Sequence, residues 1–499
     1  MMGSLPAPRS ENARGGLAGP EPPKRIPILE SLAALYEKGE LEAQTLRYRR
    51  IEEGFFAHFP ERKTESPLFF STPGRTELCG NHTDHNGGMV LAAAVNLDMA
   101  AAALPRTDRK VRIHSEGFGG FELDVGELSP RVEERASSQA LVRGMAEGLS
   151  KLFGAGSAAS ERISGGGEAR EIGAEQLEGG AVLRGFDAYV DSRVPLGSGL
   201  SSSAAFEVLI GSIFAVFAGI KVSPAELALI GRDAENRHFG KPSGLMDQTA
   251  CAVGSLALID FSDPGRAAIN LLSFDPGRFG YNLAILGTGD SHADLTEDYA
   301  SIPREMKAVA ALLGKERLCG TTRSQLLSKA AEIRAACGDR AFLRAWHFAG
   351  ETLRPQALAE AIASGDIDTY LGIVRASGDS SYKYLQNIYP EPRSFEASRK
   401  GPTDAEAFAA SREGGARERG AIQGLAFALA LTEDFLGGRG ACRVHGGGFA
   451  GTIQAYIPAD RAFEYQELAE KNFGAHSLYW IKIRRHGVVC IEHPLRSGR

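Results

Sequence analysis

The sequence predicts an α+β protein of two domains, and three observations carry that prediction. The chain has 499 residues, more than one average domain holds. Short apolar runs of strand type and longer runs of helical spacing are mixed without strict alternation, which argues against a doubly wound sheet. Hydrophobic residues make up 43% of the chain and charged residues 24%, the proportions of a soluble globular enzyme.

In order along the chain, residues 1–26 are rich in Pro, Gly, Arg and Ser and read as a disordered leader. Helical periodicity runs over residues 28–60, through Ile28, Leu29, Leu32, Leu35, Tyr36, Leu46, Tyr48, Ile51 and Phe55. Strand-like runs follow at Leu68–Ser71, Met99–Leu104, Val111–Ser115 and Phe186–Val190. Residues 154–180, rich in Gly and poor in large apolar side chains, read as a flexible insertion. A long apolar helix is expected from Ala204 to about Phe217 and another from Pro224 to about His238. Strands at Leu256–Phe261 and Tyr281–Leu286 close a first domain, 27–275, and open a second, 276–499. Residues 300–375 read as mainly helical and 391–420 as a polar loop. Strands near Thr452–Ile457 and Tyr479–Ile483, with a helix near 459–472, complete the second domain.

The net charge is −6, from 56 basic and 62 acidic residues, and no Lys/Arg tract follows a phosphate backbone, so nucleic acid is not an expected partner. Six scattered cysteines form no C-x-x-C pair, the pattern of reduced thiols in the cytoplasm. No run reaches the roughly eighteen apolar residues of a membrane helix. The oligomeric state is left open, with a monomer one option.

Three segments carry chemistry. Between Pro73 and Gly88 stand Arg75, Glu77, Asn81, His82, Asp84, His85 and Asn86, with glycines at 74, 80, 87 and 88. They lie between apolar runs, so the segment reads either as a ligand-presenting loop or as a polar surface turn. Cys79 within it reads as a small packing residue in preference to a reactive thiol. The second segment, Pro195 to Ala205, contains Gly197, Ser198, Gly199, Leu200, Ser201, Ser202 and Ser203 and runs into a helix. Glycines that turn N–H groups inward, followed by a helix start, suit a phosphate; a serine-capped helix is the plainer alternative. In the third, Glu235 and Asp247 flank a Gly/Pro turn holding Gly244. A partly buried Asp247 there suits orienting or deprotonating a hydroxyl, or simply capping a helix. No Walker-type loop is present, and Gly446 to Gly451 matches G-x-G-x-x-G too near the end for a dinucleotide domain.

Together, in this order and spacing from about residue 68 to 490, these segments resemble the GHMP small-molecule kinases and, within them, the galactokinases, as a divergent bacterial-type member. The first resembles the galactokinase signature, the second the family's phosphate loop, and Arg443 to Thr452 its third, glycine-rich motif. The resemblance implies a mixed α/β N-terminal domain and a ferredoxin-like C-terminal domain with a cleft between them. It implies transfer of phosphate from Mg-ATP to the anomeric hydroxyl of galactose, within galactose metabolism. By motif position, Asp247 and Arg75 would be catalytic. Gly197 to Ser203 would hold the ATP phosphates, and Ser202 or Ser203 with Glu235 would hold Mg2+. Asn81, His82, Asp84, Gly244, Tyr299 and Glu77 would meet the sugar, and Gly446, Gly447 and Gly448 would support the site.

The chain departs from the family where Asn81 stands for the usual Glu, Glu77 for the usual Asn, and His85 for the usual Tyr. Positions four apart lie on one face of a strand, so the amide and carboxylate are expected to have exchanged places on one sugar edge. Two other readings accompany this one: a kinase for another sugar, such as N-acetylgalactosamine or arabinose, and a non-catalytic sugar sensor. The complete serine segment, with Arg75, Glu235 and Asp247 all present, favours catalysis over the sensor. The run His82-Thr-Asp-His85 offers a metal as a further alternative, but no third ligand is apparent.

Overall fold

The computed structural model describes residues 20–157, 183–263, 267–289, 295–389, 423–492 and 494–495. Residues 1–19 of the expected leader, 158–180 of the expected insertion and the expected loop 391–420 lie outside the described residues. The chain forms two compact units: one comprises 1–275 with 351–370 and 481–499, the other 276–350 with 371–480.

Within the first unit the described strands are β1 (Ile28–Leu29), β2 (Leu68–Cys79), β3 (Met89–Pro105), β4 (Lys110–Ser115), β5 (Gly119–Asp124), β6 (Phe186–Ser192), β7 (Leu256–Asp260), β8 (Ala268–Leu272) and β13 (Val489–Ile491). They form one sheet in the order β1-β13-β2-β3-β6-β4-β5, with β7 branching from β3 and β8 pairing β7. Its centre, β3, carries Ala92–Ala94 and Ala100–Ala103, all fully buried. Small side chains let helices lie close to the sheet. On one face Ala100, Ala102 and Leu104 pack with Tyr48, Ile51 and Phe55 of α1 (Leu41–His58), in keeping with the two-residue period of a strand.

Two expectations are corrected here. The helical spacing read from Ile28 holds only from Leu41; Ile28 and Leu29 instead pair in parallel with Cys490 and Ile491. A partner some 460 residues away (490 minus 28) overrides the local period. Likewise the segment from Pro73 is not a loop until Gly80, because Pro73–Cys79 continues the buried strand β2. The helix α2 (Ser138–Ser157) went unread, although Leu141, Met145 and Leu149 recur every fourth residue and are buried.

In the second unit, β9 (Tyr281–Gly287), β10 (Ala441–His445), β11 (Thr452–Pro458) and β12 (Leu478–Ile481) form a sheet in the order β10-β11-β9-β12. The β10-β11 and β11-β9 pairs are antiparallel. One core packs Ile453, Ala455 and Ile457 against Leu425, Ala428 and Tyr465. A second is helical and gathers Ile302, Met306, Val309, Leu326, Ala345 and Phe348.

Candidate active site

Strand β2 slips register between Pro73 and Arg75 and again between Glu77 and Cys79. Such irregularities re-aim side chains beside functional sites. Gly74 at the first slip permits a close approach: a Cβ there would stand 2.8 Å from the Leu200 carbonyl oxygen. The Arg75 N–H donates to that same oxygen at 3.0 Å, so the Pro195–Ser201 loop is bound to the strand. From this point Arg75 reaches Asp247 Oδ1 through Nε at 2.8 Å and Nη2 at 2.7 Å, while Nη1 donates to the Gly199 carbonyl. The other carboxylate oxygen, Oδ2, accepts from Ser201 Oγ at 2.5 Å. Three segments distant in sequence therefore converge on one carboxylate, whose side chain stays 29% exposed and so reachable. Burial alone would raise the Asp247 carboxyl; the charge of Arg75, the Ser201 hydroxyl and the charge of Lys241 outweigh it and hold it below its ordinary value.

Gly197, Gly199 and Ser201 have φ of +68°, +69° and +60°, the left-handed region in which a loop can turn its N–H groups to one side. Leu200 is fully buried and anchors the loop, and Ser198 Oγ donates to the Pro195 carbonyl at 2.7 Å. The helix α3 (Ser202–Phe217) begins at once, aligning its unpaired N–H groups with the loop.

Beside the loop, Ser203 Oγ donates to Glu235 Oε1 at 3.1 Å, and Lys241 Nζ donates to the same oxygen at 2.9 Å. Glu235 opens a π-helical turn, Glu235–Phe239, that follows α4 (Pro224–Ala234). Single π turns are frequent at functional sites. The Gln248 amide, on α5 (Met246–Val253), bridges Glu235 Oε2 at 2.9 Å and Glu207 Oε2 at 3.0 Å. Burial, reinforced by Glu235, pushes the Glu207 carboxyl well above the usual carboxylate range. Sequence reading passed over Glu207, Gln248 and Lys241; the available signal was one acid inside an otherwise apolar helix.

The oxygen donors Ser203 and Glu235 fit a hard cation such as Mg2+, which takes one or two protein ligands and completes its shell with water and phosphate oxygens. Among the described residues no group of three or more His, Cys, Asp or Glu is placed to hold a metal ion.

The turn after β2 is built as tightly. Asn81 Nδ2 donates to both oxygens of Glu77 at 3.2 Å each, and both residues are buried. His82 adopts φ +58°, an uncommon conformation for a non-glycine residue. Thr83 Oγ1 donates to the carbonyls of Gly80 and Met89 at 2.8 Å each. Asp84 accepts the His85 N–H at 2.9 Å, and a Cβ on Gly244 would fall 1.7 Å from Asp84 Oδ2. Only glycine at 244 lets that loop lie against the carboxylate. Glu351, fully buried, accepts the N–H groups of Gly80 at 3.0 Å and Asn81 at 3.4 Å, and the Cys79 thiol at 3.4 Å. No local pattern marks a residue that acts 270 positions away.

In the second unit Tyr299 meets Gly447 and Gly448. Tyr299 Oη donates to the Gly448 carbonyl at 2.9 Å, and a Cβ on Gly447 would stand 2.1 Å from the Tyr299 ring. Asn387 Nδ2 donates to the Gly447 carbonyl at 3.1 Å. Gly446 and Gly448 take φ of +66° and +80°.

Two family models match the chain: the GHMP kinases N terminal domain over residues 168–255 and the galactokinase galactose-binding signature over residues 54–105. The galactokinase of Actinobacillus pleuropneumoniae serotype 3 (strain JL03) is 27% identical over 402 residues, covering 80% of this chain and 88% of the relative. That of Glaesserella parasuis serovar 5 (strain SH0165) is 26% identical over 427 residues, covering 84% and 94%. A crystal structure of Lactococcus lactis galactokinase complexed with galactose shares the fold with a TM-score of 0.65 at 19% identity, covering 88% of this chain and 99% of that one. A mevalonate kinase structure does so with a TM-score of 0.51 at 12% identity, covering 84% and 100%. The fold, with a glycine/serine loop running into a helix beside paired carboxylates, is that of the GHMP kinases, and residues 168–255 match the N-terminal domain of that class. Within it the chain is similar to the galactokinases, whose galactose-binding signature it matches over residues 54–105.

Proposed function

We propose that this protein phosphorylates galactose on its anomeric hydroxyl, with ATP as the donor and Mg2+ as the metal. The observation that carries the reading is the Asp247 carboxylate, clamped by Arg75 and Ser201 beside the glycine/serine loop. A carboxylate held this way orients the attacking hydroxyl and takes its proton as the new bond forms. Arg75 fixes the carboxylate and sets a positive charge beside the transferring phosphoryl group. The N–H groups of Gly197 to Ser203 receive the ATP phosphates, with the α3 N-terminus behind them. Ser203, with Ser202 adjacent, and Glu235 would hold Mg2+, which offsets charge on the phosphate oxygens when bound.

The sugar wall consists of His82, Asp84, the Gly244 backbone and the Glu77–Asn81 pair. The direct contact of Asn81 with Glu77 supports the exchange of amide and carboxylate on one sugar edge.

The test is ADP release across a panel of free sugars, with Asp247→Asn as the control. Turnover is expected with galactose and a loss of roughly 10²–10⁴-fold in the control. Faster turnover of another sugar overturns the specificity, and no turnover with any sugar overturns the enzyme.

A further inference from the structure

Beyond its charge on Asp247, Lys241 has no part in the assignments above, yet its ammonium lies on the carboxylate assigned to the metal. It donates to Glu235 Oε1 at 2.9 Å, the oxygen that also accepts Ser203 Oγ at 3.1 Å. A cation held by Ser203 and Glu235 would therefore meet a positive charge already in place. Two like charges cannot share one carboxylate oxygen without strong repulsion in a site of low dielectric.

The two partners differ in freedom. The Glu235 side chain is 2% exposed, and Gln248 holds its second oxygen at 2.9 Å. The Lys241 side chain is 54% exposed, so its stem can swing into water while the carboxylate stays. The π turn sets this relation, since the N–H groups of Gly240 and Lys241 both donate to the Glu235 carbonyl, at 2.9 and 3.1 Å. The lysine is thus tied by its backbone to the residue it neutralises.

We propose that Lys241 is a resident counter-cation of Glu235 that must leave Oε1 before a divalent metal binds. Free metal is then held weakly, and the metal is taken up efficiently only with nucleotide phosphates that add negative charge. The proposal rests on the reading of Ser203 and Glu235 as the metal's protein ligands.

The experiment titrates Mn2+ into the full chain by electron paramagnetic resonance, with and without a non-hydrolysable ATP analogue. Wild type is compared with Lys241→Met, Glu235→Gln, Ser203→Ala and Arg237→Met. Arg237 is the control, because it removes one nearby positive charge that pairs with Glu147 at 3.0 Å and makes no contact with Glu235. Lys241→Met is expected to bind free Mn2+ at least fivefold more tightly than wild type, with a smaller gap once the analogue is present. Arg237→Met is expected to match wild type. The proposal fails if Lys241→Met binds Mn2+ no more tightly, or if Arg237→Met tightens binding equally. If both Glu235→Gln and Ser203→Ala leave Mn2+ affinity unchanged, the metal-ligand reading itself fails. Ser203→Ala keeps that arm readable should Glu235→Gln not fold.

Discussion

Arg75 and Asp247 depend on each other, because a buried charge is costly once its partner is removed. The Asp247 carboxyl lies below its ordinary value of 3.8 in the folded protein. It is therefore ionised throughout the neutral range, and its stabilising interaction is lost only as pH falls through that lowered value. The kcat/KM of the wild type should show no acid limb from Asp247 above about pH 5. In Arg75→Met the largest opposing charge is gone and burial is left to raise the carboxyl. An acid limb should then enter the neutral range of the kcat/KM profile, with kcat lowered about 10²-fold or more. A second residue-scale prediction concerns the sugar edge. Glu77→Asn and Asn81→Glu should each raise the KM for sugar, and the double exchange should recover most of the loss. Unrescued single defects would refute the exchange. Nearly all of these residues were legible, because the motifs name them. Glu77 and Asn81 do not share a strand face as their spacing suggested: the strand ends at Cys79, and it is the turn after it that brings Asn81 onto the Glu77 carboxylate.

The elements show why local pattern reading stopped short. Strand β2 looks like a loop in sequence because it is polar, yet it is buried throughout Pro73–Cys79. Its polar groups are satisfied from afar: Arg75 by Asp247, 172 residues on. Hydrogen bonds of that span leave no periodic trace. The same holds for Ile28 and Leu29, whose strand exists only through pairing with Cys490 and Ile491. Helices were easier to read, since the Ser202–Phe217 apolar run carries its own burial pattern. The loop after the π turn offers a direct test of element placement. Gly244→Ala would put a methyl 1.7 Å from Asp84 Oδ2, so the loop must retreat from the carboxylate. The KM for sugar should rise about tenfold or more, an effect of ~1.4 kcal/mol, while the KM for ATP changes far less. Steady-state kinetics with each substrate varied in turn measures the difference.

At the scale of the whole molecule, the chain returns to its first unit twice, with residues 351–370 and 481–499. Composition and motif spacing carry no record of those returns, because they are fixed by single long-range partners. Asp98 is one such partner. It is fully buried and accepts from Arg47 Nη1 at 2.5 Å, Tyr36 Oη at 2.6 Å and Arg484 Nη1 at 2.9 Å, as well as from Ser71 Oγ. Burial would raise its carboxyl, but Arg47 and then Arg484 hold it well below the usual carboxylate range. Arg484→Met should therefore cost roughly 3 kcal/mol at neutral pH and lower Tm by about 4–5 °C. Because Asp98 is the depressed group, the deficit should shrink only as acid protonates it. Thermal denaturation at pH 7 and pH 3 measures both. The central claim is narrower than fold or stability: one phosphoryl group moves from ATP to the anomeric oxygen of galactose, with Asp247 receiving the proton. Phosphorus NMR of the reaction mixture tests it most directly. Galactose 1-phosphate and ADP should form together with wild type and be lost together with Asp247→Asn. Phosphate on any other hydroxyl, or undiminished product with Asp247→Asn, would contradict the account.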